Sequence, residues 1–376
     1  MKVVTEVRVI ETPKTHIASG VLTLNGVECP FTANVTVPET RIEVTYAETQ
    51  PAPVPAPTPT PEPPPTPTPI PPVVIPGTHQ VRTQADFMLL RTTRFNPGAT
   101  ILMYSGDYSL DNEGIQGFDG TKFKTPFRGN EQARIVLQAA PGEHPRMRTS
   151  TPFYGCSYLN IIGLSFVDGG GLSAIDADWI AGKPRSHHVT IASCEFRGPQ
   201  KRFGFIQLRG DDLAVINCTI ASEPTGGQTT DHGIYIHAGK NILIDGCDVQ
   251  GVSGYCYHFY EENRLAFDNI EMRYCIGSGS RQRSGMICSL GSGGDGSVAF
   301  KLAHFHHNQF FGNKQAGAEF TTYGAPIEGP IMFGQNVLTD NPAGIRNTSD
   351  KPIGLTVKQC QLPPQNSTQG GIVYLP

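Results

Sequence analysis

HVTIASCEF (188–196), DLAVINCTI (212–220), NILIDGCDV (241–249) and NIEMRYCIG (269–277) are versions of one nine-residue phrase. The second and fourth positions are apolar and the seventh is cysteine. YLNIIGLSF (158–166), LAHFHHNQF (302–310), GPIMFGQNV (329–337) and GLTVKQCQL (354–362) extend the series, with Leu164, Asn308, Gln335 and Cys360 at the seventh position. Successive phrases start 24 to 33 residues apart. A unit this short cannot bury its apolar side alone, but stacked units bury it in one continuous core. Strands at equivalent points of successive units then pair in parallel. Irregular steps mean that loops of any length leave the coil, which specifies an all-β chain forming a parallel β-helix.

Composition agrees. Among 376 residues there are 42 Gly and 32 Pro, and only 16% are charged. Long amphipathic helical patterns are scarce, as in an all-β protein. A net charge of −4 argues against a nucleic-acid partner. No run approaches the roughly 18 apolar residues of a membrane-spanning helix. MKVVTEVRVIETPK at the N-terminus alternates apolar and polar residues, unlike a signal peptide. That pattern suits a virion or extracellular protein released without a leader, or one whose leader is already removed.

Three segments are expected. VTEVRVIE, GVLTLNGV, ANVTVP and RIEVTYAE alternate as strands, so residues 1–49 read as a small β anchoring domain. Residues 50–77 form an extended linker, with 14 Pro among the 26 residues from 51 to 76. As a polyproline spacer it reaches roughly 80 Å. Residues 78–376 are the β-helix. They open with TQADFMLL, where Thr83 and Asp86 have capping-box spacing and predict one short helix. The cysteines at the seventh position read as buried free thiols stacked in a ladder; nine Cys with no C-x-x-C pair suit neither a disulfide framework nor a metal site.

The repeats resemble the right-handed parallel β-helix proteins, which include pectate-lyase-like enzymes, alginate- and chondroitin-lyase-like enzymes, and phage tailspikes. The stretch NPGATILMYSGDYSL, followed by GTKFKTPF and RIVLQAAPG, is similar to the first coil of the alginate/chondroitin lyase group. The resemblance implies two functions. One is a virion protein of tailspike, fibre or decoration type, anchored to a virion or surface scaffold through residues 1–49 and presenting its β-helix to host glycans. The other is a secreted polysaccharide lyase acting on uronate-containing polymer by β-elimination. The apolar C-terminal stretch GGIVYLP implies either a cover from a neighbouring loop or a homo-oligomer, and the tailspike analogy favours a trimer.

DHGIYIHAGKNILIDGCDV (231–249) holds the densest chemistry. GIYIH (233–237) matches GFIQL (204–208), GYCYH (254–258), GMICS (285–289) and GAEFT (317–321), which sets His237 beside His258 on adjacent coils. A lyase needs a base, a cation to neutralise the uronate and an acid for the leaving oxygen. His237, Lys240, His258, Arg281 and Arg283 are the catalytic candidates. In the lyase group a lysine stands four residues before the repeat anchor, and His237 holds that position relative to Asn241. That group's acidic calcium ligands are absent, since this strand carries Gly233 and Tyr235, so calcium belongs only to the lyase reading and no cofactor is otherwise expected.

Tyr257, Tyr260, Glu261, Glu262 and Arg264 lie nearby as carbohydrate-binding candidates, and Tyr255 and Trp179 are further aromatics able to stack on sugar rings. With the second and fourth positions inward, the third and fifth face out. That exterior column contains Leu243, Asp245, Glu271, Arg273, His304, His306, Met332, Thr356 and Lys358. Within it Glu271, Arg273, His304 and His306 could floor a sugar groove. The carboxylate pairs Asp211–Asp212 and Glu261–Glu262 point to opposite faces of their strands and offer no glycosidase pair by themselves.

Overall fold

The computed structural model describes residues 2–24, 27–48, 77–91, 93–110, 127–153, 155–168, 170–175, 186–199, 203–223, 229–260, 267–290, 301–322, 329–349, 353–366 and 372–375. Two compact units span Met1–Ile70 and Pro71–Pro376. In the first, strands Lys2–Leu24 and Val27–Glu48 pair antiparallel. The four short strand-like stretches expected there are thus two long strands. The Pro-rich run 51–76 lies outside the described residues.

The second unit is a stack of coils, each built from three strands that pair in parallel with the coils above and below. His187–Ala192, Asp211–Ile216, the end of Asp231–Asp245, Phe267–Arg273, Ala303–His306, Ile331–Gly334 and Leu355–Lys358 are successive strands of the face termed sheet 1. Short strands such as Glu195–Gly198, Asp248–Gln250 and Ile276–Ser278 belong to sheet 2, which has nine strands among the described residues. Phe203–Arg209, the start of Asp231–Asp245, Tyr257–Tyr260, Met286–Leu290, Ala316–Thr322 and Ala343–Asn347 belong to sheet 3.

The second repeat position runs through the core as one column: Leu159, Val189, Leu213, Ile242, Ile270, Ala303, Ile331 and Leu355 are paired rung on rung. The fourth position makes a parallel column from Ile161 to Val357. Members of both columns are at most 2% exposed. Each large aliphatic side chain so buried contributes about 1.5–3 kcal/mol, which is why this pattern dominates the fold.

This pairing corrects one frame. Ala303 faces Ile331 and Phe305 faces Phe333, so Asn336, not Gln335, holds the seventh position of that coil. Pro330-Ile331-Met332-Phe333 offers two apolar frames, and burial of Ile331 and Phe333 decides between them.

The corners have a shared backbone signature. The sixth position is left-handed in every one of these coils: Gly163, Ser193, Asn217, Gly246, Tyr274, His307, Gln335 and Gln359 have φ between 51° and 68°. That conformation breaks the strand and turns the chain from sheet 1 into sheet 2. The first position is left-handed too at Tyr158, His188, Asp212, Asn241 and Asn269. There the side chains stack or bond along the axis: Tyr158 on His188 at 4.4 Å, Asn241 Nδ2 to Asp212 Oδ1 at 2.8 Å, and Asn269 Nδ2 to Asn241 Oδ1 at 2.9 Å.

At the seventh position Cys194, Cys218, Cys247 and Cys275 are buried free thiols. Each donates to main-chain carbonyls, as Cys247 does to Val215 O and Asp245 O at 3.6 Å. The neighbouring Cys218 thiol and burial hold the Cys194 thiol well above its usual range. Then the ladder changes chemistry. Asn308 and Asn336 follow, and a second amide ladder, Asn313 and Asn341, runs beside the turn after sheet 2.

The helix Gln84–Leu89 forms as its spacing predicts. Thr83 Oγ1 accepts from Asp86 N at 3.1 Å, and Asp86 Oδ2 accepts from Thr83 N at 2.9 Å. Its Phe87 joins the core 5.4 Å from the Tyr108 ring. Val373–Leu375 pairs in parallel with Leu355–Lys358 and leaves Val373, Tyr374 and Leu375 exposed. Among the described residues no helix is long and apolar enough to cross a membrane.

Candidate functional site

Sheet 3 positions the densest group of titratable side chains. Two of its columns are core: Ile206–Ile234–Tyr257–Met286–Ala318 and Leu208–Ile236–Phe259–Cys288–Phe320. The column between them points to the opposite face of the sheet. It reads Gln207–Tyr235–His258–Ile287–Glu319–Arg346. This register pairs Tyr235, not His237, with His258. Matching glycine to glycine misaligned the two segments, because packing pairs Ile234 and Ile236 with Tyr257 and Phe259. Gly254 lies in the preceding turn, where a Cβ would fall 2.3 Å from His232 Nδ1.

Around Tyr235 and His258 a compact cluster assembles. The Tyr235 ring stacks on His258 at 4.7 Å and lies 3.9 Å from His237. His232 approaches His258 to 4.3 Å and stacks with Tyr255 at 5.5 Å. Tyr260 lies 5.3 Å from His258. The Arg283 guanidinium sits 5.7 Å from the Tyr255 ring centre. Tyr255 N donates to His232 Nδ1 at 3.0 Å, which places any neutral His232 proton on Nε2. Among the described residues, His258 Nδ1 is buried without a hydrogen-bond partner. Glu319, further along the same column, is buried and accepts from Ser284 Oγ at 3.0 Å.

Burial and neighbouring charge keep the His232 and His258 imidazoles neutral. Burial, reinforced by Arg283 and His237, pushes the His232 pKa down to about 3. Burial and then His232, His237 and Arg283 hold His258 well below its ordinary value. The unfolded chain therefore takes up protons here that the folded chain refuses. Stability at the cluster is full above about pH 6.5 and is lost as the pH falls toward about 3. Urea midpoints are expected to drop steeply over that window, and His232→Phe, which cannot titrate, to flatten the slope.

The other candidates are dispersed. Arg283 joins His237 and His258, whereas Arg281 holds the neighbouring turn, donating to Gly251 O and, at 2.9 Å, to Ser253 Oγ. Lys240 is exposed at the entry to sheet 1, where its main-chain N donates to Asp211 Oδ1 at 3.1 Å. Tyr257 is a core residue, not a sugar platform: its hydroxyl lies 2.8 Å from both Cys247 O and Ile276 O. Gly277 makes the room, since a Cβ there would come within 3.1 Å of the Tyr257 ring. Glu261, Glu262, Arg264 and Trp179 lie outside the described residues.

Glu271, Arg273, His304 and His306 form a separate network on the outer face of sheet 1. Arg273 Nη2 meets Asp245 Oδ2 and its Nη1 meets Glu271 Oε1, both at 2.8 Å, while His306 Nε2 is 3.2 Å from Glu271 Oε1. The His304 and His306 rings are 4.1 Å apart. Among the described residues no group of three or more His, Cys, Asp or Glu side chains could hold a metal ion.

Sequence reasoning passed over His232 and Glu319 as members of the site. For His232 the signal was present in the run Asp231-His232-Gly233, where a glycine frees the backbone beside a histidine. Glu319 is marked only by its column, which becomes visible once the register is known.

A family model described as "Right handed beta helix region" matches residues 154–362. No curated protein matches the chain. Among solved structures, the chain is similar to the alginate lyase from Paenibacillus sp. str. FPU-7, at 11% identity and a TM-score of 0.47, over 80% of this chain and 98% of that one. It is similar to pectate lyase Pel9A at 15% identity and a TM-score of 0.44, over 79% and 80%. A PL6 family polysaccharide lyase from Pseudopedobacter saltans aligns at 13% identity and a TM-score of 0.35, over 79% and 92%.

Proposed function

The chain belongs to the right-handed β-helix family, and from that premise we propose that it acts on uronate-containing polysaccharide at the sheet 3 cluster, by β-elimination. One observation carries the reading. His258 is a buried imidazole held neutral, its Nδ1 has no hydrogen-bond partner among the described residues, and a stacked tyrosine and a nearby guanidinium complete its surroundings. A neutral imidazole can accept a proton, a fixed guanidinium can offset a carboxylate, and a phenol can supply a proton.

In this scheme Arg283 pairs with the uronate carboxylate and so acidifies the adjacent C5–H. His258, or His237 across Tyr235, takes the C5 proton. The electron pair forms the C4–C5 double bond as the C4–O4 bond breaks. Tyr260, the half-buried phenol of the group, protonates the departing O4.

Alginate, polygalacturonate and chondroitin sulfate, each offered with and without calcium, test the scheme through the ultraviolet absorbance of unsaturated uronate ends. Turnover is expected on at least one polymer, with His258→Gln lowering kcat at least about 100-fold. Flat traces across the whole panel overturn the reading.

The Pro-rich run 51–76 favours a companion reading. Residues 1–49 would anchor the chain to a virion or surface scaffold, the run would act as a stalk, and the β-helix, as a trimer, would meet glycans at a distance. The reading fails if light scattering of the native full chain gives a concentration-independent monomer and residues 1–49 retain no scaffold protein.

A further inference from the structure

Half of the eight left-handed corners between sheets 1 and 2 carry residues suited to them, namely Gly163, Asn217, Gly246 and His307. Glycine carries no penalty there, and asparagine and histidine are among the residues that tolerate it best. Ser193, Gln335 and Gln359 are less suited, and Tyr274 is the one large aromatic of the column. It holds φ 54° and yet is 58% exposed, so neither backbone preference nor burial accounts for a large aromatic there.

Its surroundings are built. Arg273, next in the chain, is fixed by Asp245 and Glu271, and His306 is fixed by Glu271. The Nδ1 atoms of His306 and His307 lie 2.8 Å apart, so one donates to the other and orients the His307 ring. That ring sits 5.1 Å from Tyr274, tilted by 34°, on the next coil. On the preceding coil the equivalent residue is Gly246, which has no side chain to cover the ring. One coil further, Asn217 leans over the glycine, its Oδ1 2.3 Å from where a Cβ on Gly246 would be. Beyond His307 the column continues with Gln335 and Gln359, both exposed.

We propose that this corner column is a saccharide-binding ledge, separate from the sheet 3 cluster, on which a pyranose ring stacks against the Gly246 side of Tyr274. Only its ligand class, a polysaccharide, rests on the function proposed above. Aromatic faces attract the C–H surface of a sugar, and amides and imidazoles match its hydroxyls in both donor and acceptor roles. The column runs along the β-helix axis with rungs about 4.8 Å apart, so a polymer lying along it meets Asn217, Tyr274, His307 and the glutamines in turn. Because the supporting ion network holds the platform before any ligand arrives, little ordering is needed on binding.

Affinity electrophoresis of the full chain through gels containing alginate, polygalacturonate, chondroitin sulfate or xylan tests the ledge. The wild-type chain is expected to be retarded on at least one gel. Tyr274→Asn is expected to weaken that retardation about tenfold while raising Tm, since asparagine accepts the left-handed backbone. Tyr274→Phe should keep the retardation, and so should His258→Gln, which acts only at the other site. The ledge is refuted if Tyr274→Asn is retarded like wild type, if retention is lost in His258→Gln instead, or if the wild-type chain runs freely on every gel.

Discussion

Gly239→Ala is expected to cost at least about 4 kcal/mol, a large fraction of the stability of an ordinary domain. Gly239 stands where the long strand Asp231–Asp245 leaves sheet 3 and enters sheet 1, with φ at +146°. A Cβ there would lie 1.9 Å from Gly210 O. Gly210 repeats the arrangement one coil earlier, with φ at +143° and a Cβ position 2.1 Å from Ser186 O. Both obstacles are main-chain oxygens inside a stack of paired strands, so no side chain can swing aside. Relief requires moving whole coils apart, which breaks pairing in two sheets at once. Thermal and urea unfolding followed by far-ultraviolet circular dichroism would show it, and a Gly239→Ala chain that melts with the wild type would refute the argument.

The second large effect is expected at Asn308. Its Nδ2 donates to Met272 O and to Asn336 Oδ1 at 3.0 Å, and its Oδ1 accepts from Cys275 N at 3.0 Å. Asn308→Leu keeps the number and branching of heavy atoms, so the loss does not come from a cavity. It strands the Cys275 N–H and the Met272 carbonyl in a dry core, at about 1–3 kcal/mol each. A total near 3–5 kcal/mol is expected from urea unfolding. Asn308→Cys is the informative control. A thiol can still donate to the carbonyl, as Cys275 does to Ile244 O at 3.7 Å, so it should recover a good part of that loss. Equal stability of the leucine and cysteine variants would show that the amide is not acting through its hydrogen bonds.

Legibility followed the strength of the burial signal. Ile242 and Ile244 announce their inward positions because each repeats in coil after coil, and Cys247 is placed by the same register. The coil around Ile331 slipped by one residue because apolar side chains stand in both possible frames there. Sheet 3 slipped by two between Gly233 and Gly254, since a glycine fixes backbone freedom and not rung position. Tyr257 looked like a ligand platform because its hydroxyl is polar; only the gap at Gly277, two strands on, reveals that it fills the core. His237, His258 and Arg283 do converge, but through Tyr235 and Tyr255, and long-range ring contacts of that kind leave no period in a sequence. Tyr274 likewise looks ordinary until its backbone angle is known.

The seventh-position ladder has a consequence for how this protein can change length. Each thiol rung asks of its neighbours only a carbonyl, which every coil supplies. The coil between Cys218 and Cys247 could be duplicated or excised and the new junction would find identical chemistry on both sides. The amide rungs are addressed differently: Asn308 is keyed to Asn336, and Asn313 to Asn341, so loss of the coil that carries Asn336 and Asn341 removes both acceptors at once. The β-helix thus combines an extensible middle, whose coil number is a free parameter, with a locked C-terminal portion in which each coil specifies its successor.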